Sequence, residues 1–252
     1  MVCVEEAAER MAQIKGREGK KPFFYLAVGP AKELWTYPGI AHFGNNLHKV
    51  IVEICGRVTP IAVLLPADSR LHKISPRTCG KIEISQRGEK KTVPTVGFMF
   101  AGSSPPEEQL GHGDTFARLR ALLPAEVRIL GTSANKSVDP YTNGSGHYNF
   151  PDLEFDFHED EVCFLVRPSH ALADKLPVSA SVVYLRESGF PFRAVEGHIV
   201  RIGSTPENKL RQILEDAGVR SIQRALSFRE VHAYDYAARE QACKDAMQYP
   251  RA

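Results

Sequence analysis

The sequence predicts a mixed α/β (α+β) fold: a twisted, mixed sheet flanked by helices, followed by a C-terminal helical extension. Two observations carry this. Helical and strand patterns alternate early in the chain, whereas strand patterns cluster later. After residue 206 the pattern changes again, to a polar, helix-forming tail. The boundary expected on this basis divides a domain at 1–203 from an extension at 204–252.

Residues 4–15 place Val4, Ala7, Ala8, Met11 and Ile14 at helical spacing, with Glu5, Glu6 and Glu9 between them, and Gly16 stops the helix. The apolar run FFYLAV then reads as a buried strand. NLHKVIVEIC (46–55) reads as a helix that ends at Gly56. VTPIAVLLP (58–66) reads as a strand, with Pro60 pointing to an edge or a bulge. KIEIS (81–85) and TVPTVGFMF (92–100) form a strand pair, with SQRGEKK as the hairpin loop. DTFARLRALL (114–123) has helical spacing behind a possible Asp114 cap, and VRILG follows as a strand. Residues 136–160 read as a long surface loop. VCFLVR (162–167), SASVVYL (179–185) and HIVRIG (198–203) read as strands. PENKLRQILEDAG is a capped helix closed by Gly218, and the tail to 252 is expected to be helical in part.

Composition sets outer limits on function. The 252 residues are 43% apolar and 25% charged, which permits a sizeable core. A net charge of +2 argues against a protein built to coat polyanions. No apolar run is long enough to span a bilayer, so no membrane partner is expected. The five cysteines are scattered and lack C-x-x-C spacing, which fits neither a disulfide framework nor a zinc site and points to a reducing setting, the cytoplasm or the nucleus, with the cytoplasm expected.

Two stretches carry candidate chemistry. KGREGKKP (15–22) gathers Lys15, Arg17, Lys20 and Lys21 around two glycines just past a helix. Such a loop can converge on phosphate or carboxylate, or it can be a solvated basic turn favoured by the helix dipole. RILGTSANKS (128–137) ends a strand in small hydroxyl and amide side chains, a ligand-facing arrangement at a sheet edge or an ordinary turn. Other clusters favour plainer readings. Asp156, His158 and Asp160, and His112 with Asp114, could approach a metal, but hydrated loop acids and a helix cap are the simpler readings, and no metal site is assigned. Cys163 reads as core, and Trp35 and Tyr37 as packing residues that could also stack on a base. No nucleophile–base pair supports a hydrolase.

Taken together and in order, these segments resemble the YrdC-like family, the threonylcarbamoyl-AMP synthases. AAERMAQIKGREGKKPFFYLAV is similar to the family's helix, K-x-R loop and strand. GRVTPIAVLLP, TVGFMFAG, ILGTSANKS, SASVVYL and GHIVRIG resemble its later elements. The resemblance implies an enzyme that condenses threonine, bicarbonate and ATP into threonylcarbamoyl-AMP, on the way to a modified adenosine of tRNA. It implies ATP and Mg2+ as cofactors. The partners it implies are a small-molecule substrate (a nucleotide, an amino acid or another carboxylate) and RNA or tRNA. By position, Lys15, Arg17, Ser133 and Asn135 match the K-x-R and S-x-N residues around nucleotide and substrate, in a catalytic and cofactor-binding role. Ser181 and Arg201 match positions near the triphosphate.

The chain also departs from that pattern. The family's opening strand and turn, resembling PTDTVYGL, would precede the first helix, and this sequence starts at the helix. Met99 stands where the family has Arg, Tyr184 where it has Asp, Ala180 where it has Ser and Val138 where it has Gly. Two other readings therefore stand beside the synthase: an enzyme reusing the cavity for another small molecule without ATP, and a non-catalytic RNA-binding module.

Overall fold

The computed structural model describes residues 2–16, 22–28, 43–57, 61–68, 77–101, 121–124, 127–132, 180–189, 193–203 and 205–230. They form three helices, α1 (Val2–Ile14), α2 (Asn45–Arg57) and α3 (Glu207–Asp216). The strands are β1 (Phe24–Val28), β2 (Ile61–Pro66), β3 (Cys79–Gln86), β4 (Glu89–Ala101), β5 (Leu130–Gly131), β6 (Ser181–Glu187), β7 (Val195–Ile202) and β8 (Val219–Glu230). They join in one eight-stranded sheet of order β5-β1-β4-β2-β6-β7-β8, with β3 paired to β4. Parallel pairs (β1–β4, β2–β6, β7–β8) and antiparallel pairs are mixed, as the alternating and then clustered strand signals predict.

Residue patterning explains the layers. In α2, Leu47, Val50, Ile51 and Ile54 recur at helical spacing and are all buried; in α3, Leu210, Ile213 and Leu214 do the same. Both stripes join Val63, Leu65, Phe98, Val183, Leu185 and Ile199 in the main core, on one face of the sheet. The other face is closed by the β3–β4 arm, whose Ile82, Ile84 and Val93 pack on Ala62, Leu64, Val182, Tyr184 and Ala225. Buried on both sides, β2 and β6 read as continuous apolar runs. The third helix, α1, packs Ala8 and Ala12 against Phe23.

Gly97 marks a close approach inside the sheet. A Cβ there would lie 2.5 Å from the Phe24 ring, so glycine lets the Phe24 side chain cross β4.

Three differences from the sequence reading have physical causes. First, β2 lies inside the sheet, between β4 and β6, rather than at an edge; Pro60 falls outside the described residues and the strand starts after it. Second, the SQRGEKK segment is not a loop. The strands run on to Gln86 and Glu89, and a two-residue turn closes them with Arg87 at φ 54 and Gly88 at φ 83. Positive φ at both positions is the primed turn whose twist suits a hairpin.

Third, the helix expected over PENKLRQILEDAG forms as Glu207–Asp216, with no side-chain cap at Pro206, and Gly218, at φ 93, ends it, but the chain then continues as a strand. β8 pairs in parallel with β7, and Leu210, Ile213 and Leu214 share the main core. Residues 205–230 thus complete the sheet and its helical layer. The segments 133–179 and 231–252, with their expected loop, strand at 162–167 and helical tail, lie outside the described residues, as do Trp35, Tyr37, His112, Asp114 and most of the 114–123 helix.

Candidate functional site

The basic loop begins at the end of α1. Gly16, at φ 58, donates its N–H to the Gln13 carbonyl at 2.9 Å and turns the chain out of the helix. This fixes Lys15 one helical turn below Ala12, which packs on Phe23 at the entrance to β1. Lys15 is only 4% exposed. A lysine brought that far from water requires a partner for its charge.

On the other side of β1 runs β5, antiparallel, with Phe24 opposite Gly131 and Tyr25 opposite Leu130. One further step brings Thr132 level with Phe23. The described part of this strand thus ends at the same end of the sheet where β1 begins. Arg17, Ser133 and Asn135 themselves lie outside the described residues.

Ser181 and Arg201 come together, but at the opposite edge. Through β4 and β2 the register sets Phe23 level with Leu185, four residues along β6 from Ser181. At about 3.3 Å per residue that is roughly 13 Å along the strands. The fully buried Ser181 hydroxyl accepts from the Gly203 N–H at 3.0 Å and donates to the Thr205 carbonyl at 3.4 Å. Arg201 grips the Ala180 carbonyl with Nε at 3.0 Å and Nη2 at 2.7 Å. Burial, and then the charge of Arg229 opposite it on β8, pull its guanidinium below its usual pKa. In this structure both side chains tie the start of β6 to the end of β7. A ligand reaching both ends of the predicted set would have to run across the sheet.

Among the described residues, the departures Met99, Tyr184 and Ala180 are apolar or structural, and Val138 lies outside them. Met99 packs against the cluster of Ala62, Leu64 and Tyr184. Tyr184 is 2% exposed, and burial raises its phenol pKa. Ala180 contributes through its carbonyl.

Sequence reading missed a polar cleft between the β3–β4 turn and the adjoining ends of β6, β7 and β8. It has a volume of about 270 Å³, and Gln86, Arg87, Arg186, Glu196, His198 and Gln223 line it. Arg186 and Glu196 pair across β6 and β7 at 2.6 and 2.9 Å. His198 sits two residues beyond Glu196 on the same strand face, with its ring 5.9 Å from that of Tyr184. The only sequence signal was the Glu-x-His alternation in VEGHIV, which acquires meaning once Arg186 is known to lie beside it.

No family model matches the sequence, and no curated protein matches it significantly. Solved structures do. P. abyssi Sua5 of the YrdC family, in a doubly substituted form, superposes with a TM-score of 0.52 at 15% identity, covering 86% of this chain. The chain spans about half of that protein, 52% of its length. A hypothetical protein of Streptococcus mutans UA159, smu.1377c, gives a TM-score of 0.49 at 16% identity, covering 86% of this chain and 82% of that one. The mixed sheet and its helical layer are YrdC-like in fold. No helix among the described residues is long and apolar enough to cross a membrane.

Proposed function

We propose that the chain is a nucleotide-binding enzyme of YrdC-like build that activates a carbamate or carboxylate as an adenylate, by analogy with threonylcarbamoyl-AMP synthesis. The supporting observation is the antiparallel β1–β5 pairing, which sets Gly131, two residues before Ser133 in sequence, opposite Phe24, near where α1 hands over to β1. In this reading a carbamate oxygen attacks the α-phosphorus of ATP. The bond to the bridging oxygen breaks, and pyrophosphate leaves with both electrons of that bond. The role of the protein is positioning and charge stabilisation. Arg17 supplies a planar fork for phosphate oxygens, Lys15 a compact positive charge, and Ser133 and Asn135 orient the substrate. Magnesium, expected with ATP, would be held largely by the phosphates themselves. The activated group would then pass to an adenosine of tRNA.

Calorimetric titration with ATP and magnesium tests this. The expected result is binding at millimolar affinity or tighter, weakened about tenfold or more in Arg17→Ala, the usual scale for a lost charged hydrogen bond. Mass spectrometry of a reaction with ATP, bicarbonate and mixed amino acids should then find pyrophosphate and an adenylate. A folded sample that gives no heat with ATP overturns the reading. The placement of Met99 in an apolar cluster favours a second one, a small-molecule enzyme without ATP. It predicts product formation that is indifferent to ATP.

A further inference from the structure

The polar cleft between the β3–β4 turn and the ends of β6, β7 and β8 holds one positive charge that the described residues do not answer. Arg186 directs its Nε and Nη2 to a single oxygen of Glu196. Glu187 turns its two carboxylate oxygens to the N–H groups of Gly44 and Leu47 at the start of α2. Burial, and then Arg186, hold His198 below its ordinary pKa of 6.5, so its ring adds no charge at neutral pH. Arg87 remains. It lines the cleft, is exposed, and makes no ion pair or hydrogen bond with any described residue.

The backbone beneath Arg87 makes that placement informative. It is the first central residue of the β3–β4 turn, at φ 54. Asparagine or glycine fills such a position with less strain. Strained backbone gathers at binding sites, where a side chain is kept at some cost to stability. An arginine held in an unfavourable conformation beside a cleft, with its charge unanswered, fits that pattern.

The rest of the lining selects the ligand. The hydroxyls of Ser188 and Ser221 and the amide of Gln223 can all donate, so an acceptor-rich group suits the wall. One unanswered cation calls for one negative charge; the second charge of a dianion would face Glu187 and Glu196. The parallel N–H groups of a guanidinium match the two oxygens of a planar carboxylate. The volume, about 270 Å³, lies just below the usual range for ligand pockets, so the acid is small. No atom lies within 4 Å of a Cβ at Gly189, another lining residue, which leaves space there for entry.

We infer that this cleft binds a small organic monocarboxylate, whose two oxygens accept hydrogen bonds from the Arg87 guanidinium. None of its groups takes part in the nucleotide reading, and the site does not depend on it.

The test is ¹H–¹⁵N NMR of the full chain, following the Arg87 Nε–H and the Gly189 amide. The protein is titrated with acetate and with lactate at constant ionic strength, with sulfate and glycerol as comparators. The expected result is a saturable movement of both resonances with at least one of the two acids, with a midpoint in the millimolar range. In Arg87→Asn the affinity, followed at Gly189, should fall about tenfold or more, the scale of a lost charged hydrogen bond. Asparagine suits the turn better than arginine does, so that loss cannot be assigned to unfolding. The inference is overturned if neither acid moves the resonances up to about 100 mM, a limit beyond which binding is negligible. It is equally overturned if Arg87→Asn binds as tightly as the parent, or if sulfate or glycerol acts as strongly as the acids. None of these readouts involves ATP, so the two proposals fail separately.

Discussion

The carboxylate of Glu187, at the end of β6, accepts the N–H of Gly44 at 2.7 Å, and its second oxygen accepts the N–H of Leu47 at 3.1 Å. A residue 143 positions away in sequence thus caps the N-terminus of α2, which has no acidic residue of its own in the first turn. A Cβ on Gly44 would lie 2.8 Å from the carboxylate, which explains the glycine.

Removing that cap should loosen the helix from the sheet. Glu187→Ala is expected to lower stability by about 1–2 kcal/mol, the upper part of the range for lost caps, since two charge-assisted bonds go. Gly44→Ala should cause part of the same loss by pushing the carboxylate aside. Urea denaturation, with an unchanged m-value, is the measurement; a midpoint unaffected by Glu187→Ala would rule the cap out as a source of stability.

The Arg87–Gly88 turn offers a gain as well as a loss. No atom lies within 4 Å of a Cβ at Gly88, so its role there is conformational. Gly88→Ala should cost about 1 kcal/mol through positive φ alone. Arg87→Asn, which suits positive φ, should stabilise by about 0.5 kcal/mol. Thermal melts of both variants should move in opposite directions.

Stability should also fall with acid in two steps. Burial, and then the nearby Arg186, lower the pKa of His198 from its ordinary 6.5, against the weaker opposing effects of Glu196 and the Ser85 backbone. The unfolded chain therefore takes up this proton before the folded one. The contribution is complete above pH 6.5 and is lost as pH falls from there toward the lower folded value. Glu207, held below 4.5 chiefly by its hydrogen bond to Arg224 and also by Arg211, adds a second loss below that pH. That side chain is still partly exposed, so screening reduces this second step. Denaturation midpoints between pH 7 and 5 should decline in the parent and flatten in His198→Phe; parallel curves would show that His198 is not the group responsible.

Much of the site was legible only in pieces. The helix ending at Gly16 and the strand at Leu130–Gly131 were visible because local rules mark them: a glycine at positive φ, and an apolar stretch followed in sequence by small polar residues. That β5 ends beside the start of β1 was not, because it depends on the two lying antiparallel, with Tyr25 paired to Leu130 from a distant part of the chain. Ser181 and Arg201 were read only as positions on two later strands, and the register of β6 and β7 brings them together. Their hydrogen bonds, however, go to backbone groups, and a sequence does not show which carbonyl a guanidinium will meet.

By itself the sequence determined the helices, most of the strands, the alternation of buried faces and the places where glycine turns the chain. Each of these follows from spacing and backbone preference over a few residues. Tertiary structure alone decided that β2 is central, that residues 219–230 join the sheet, that Glu187 caps a distant helix and that His198 meets Arg186 and Glu196 in one cleft. Those outcomes depend on strand order and register. Both are selected by the packing of the whole chain, because several arrangements satisfy the same local pattern and only one buries both faces of the sheet together.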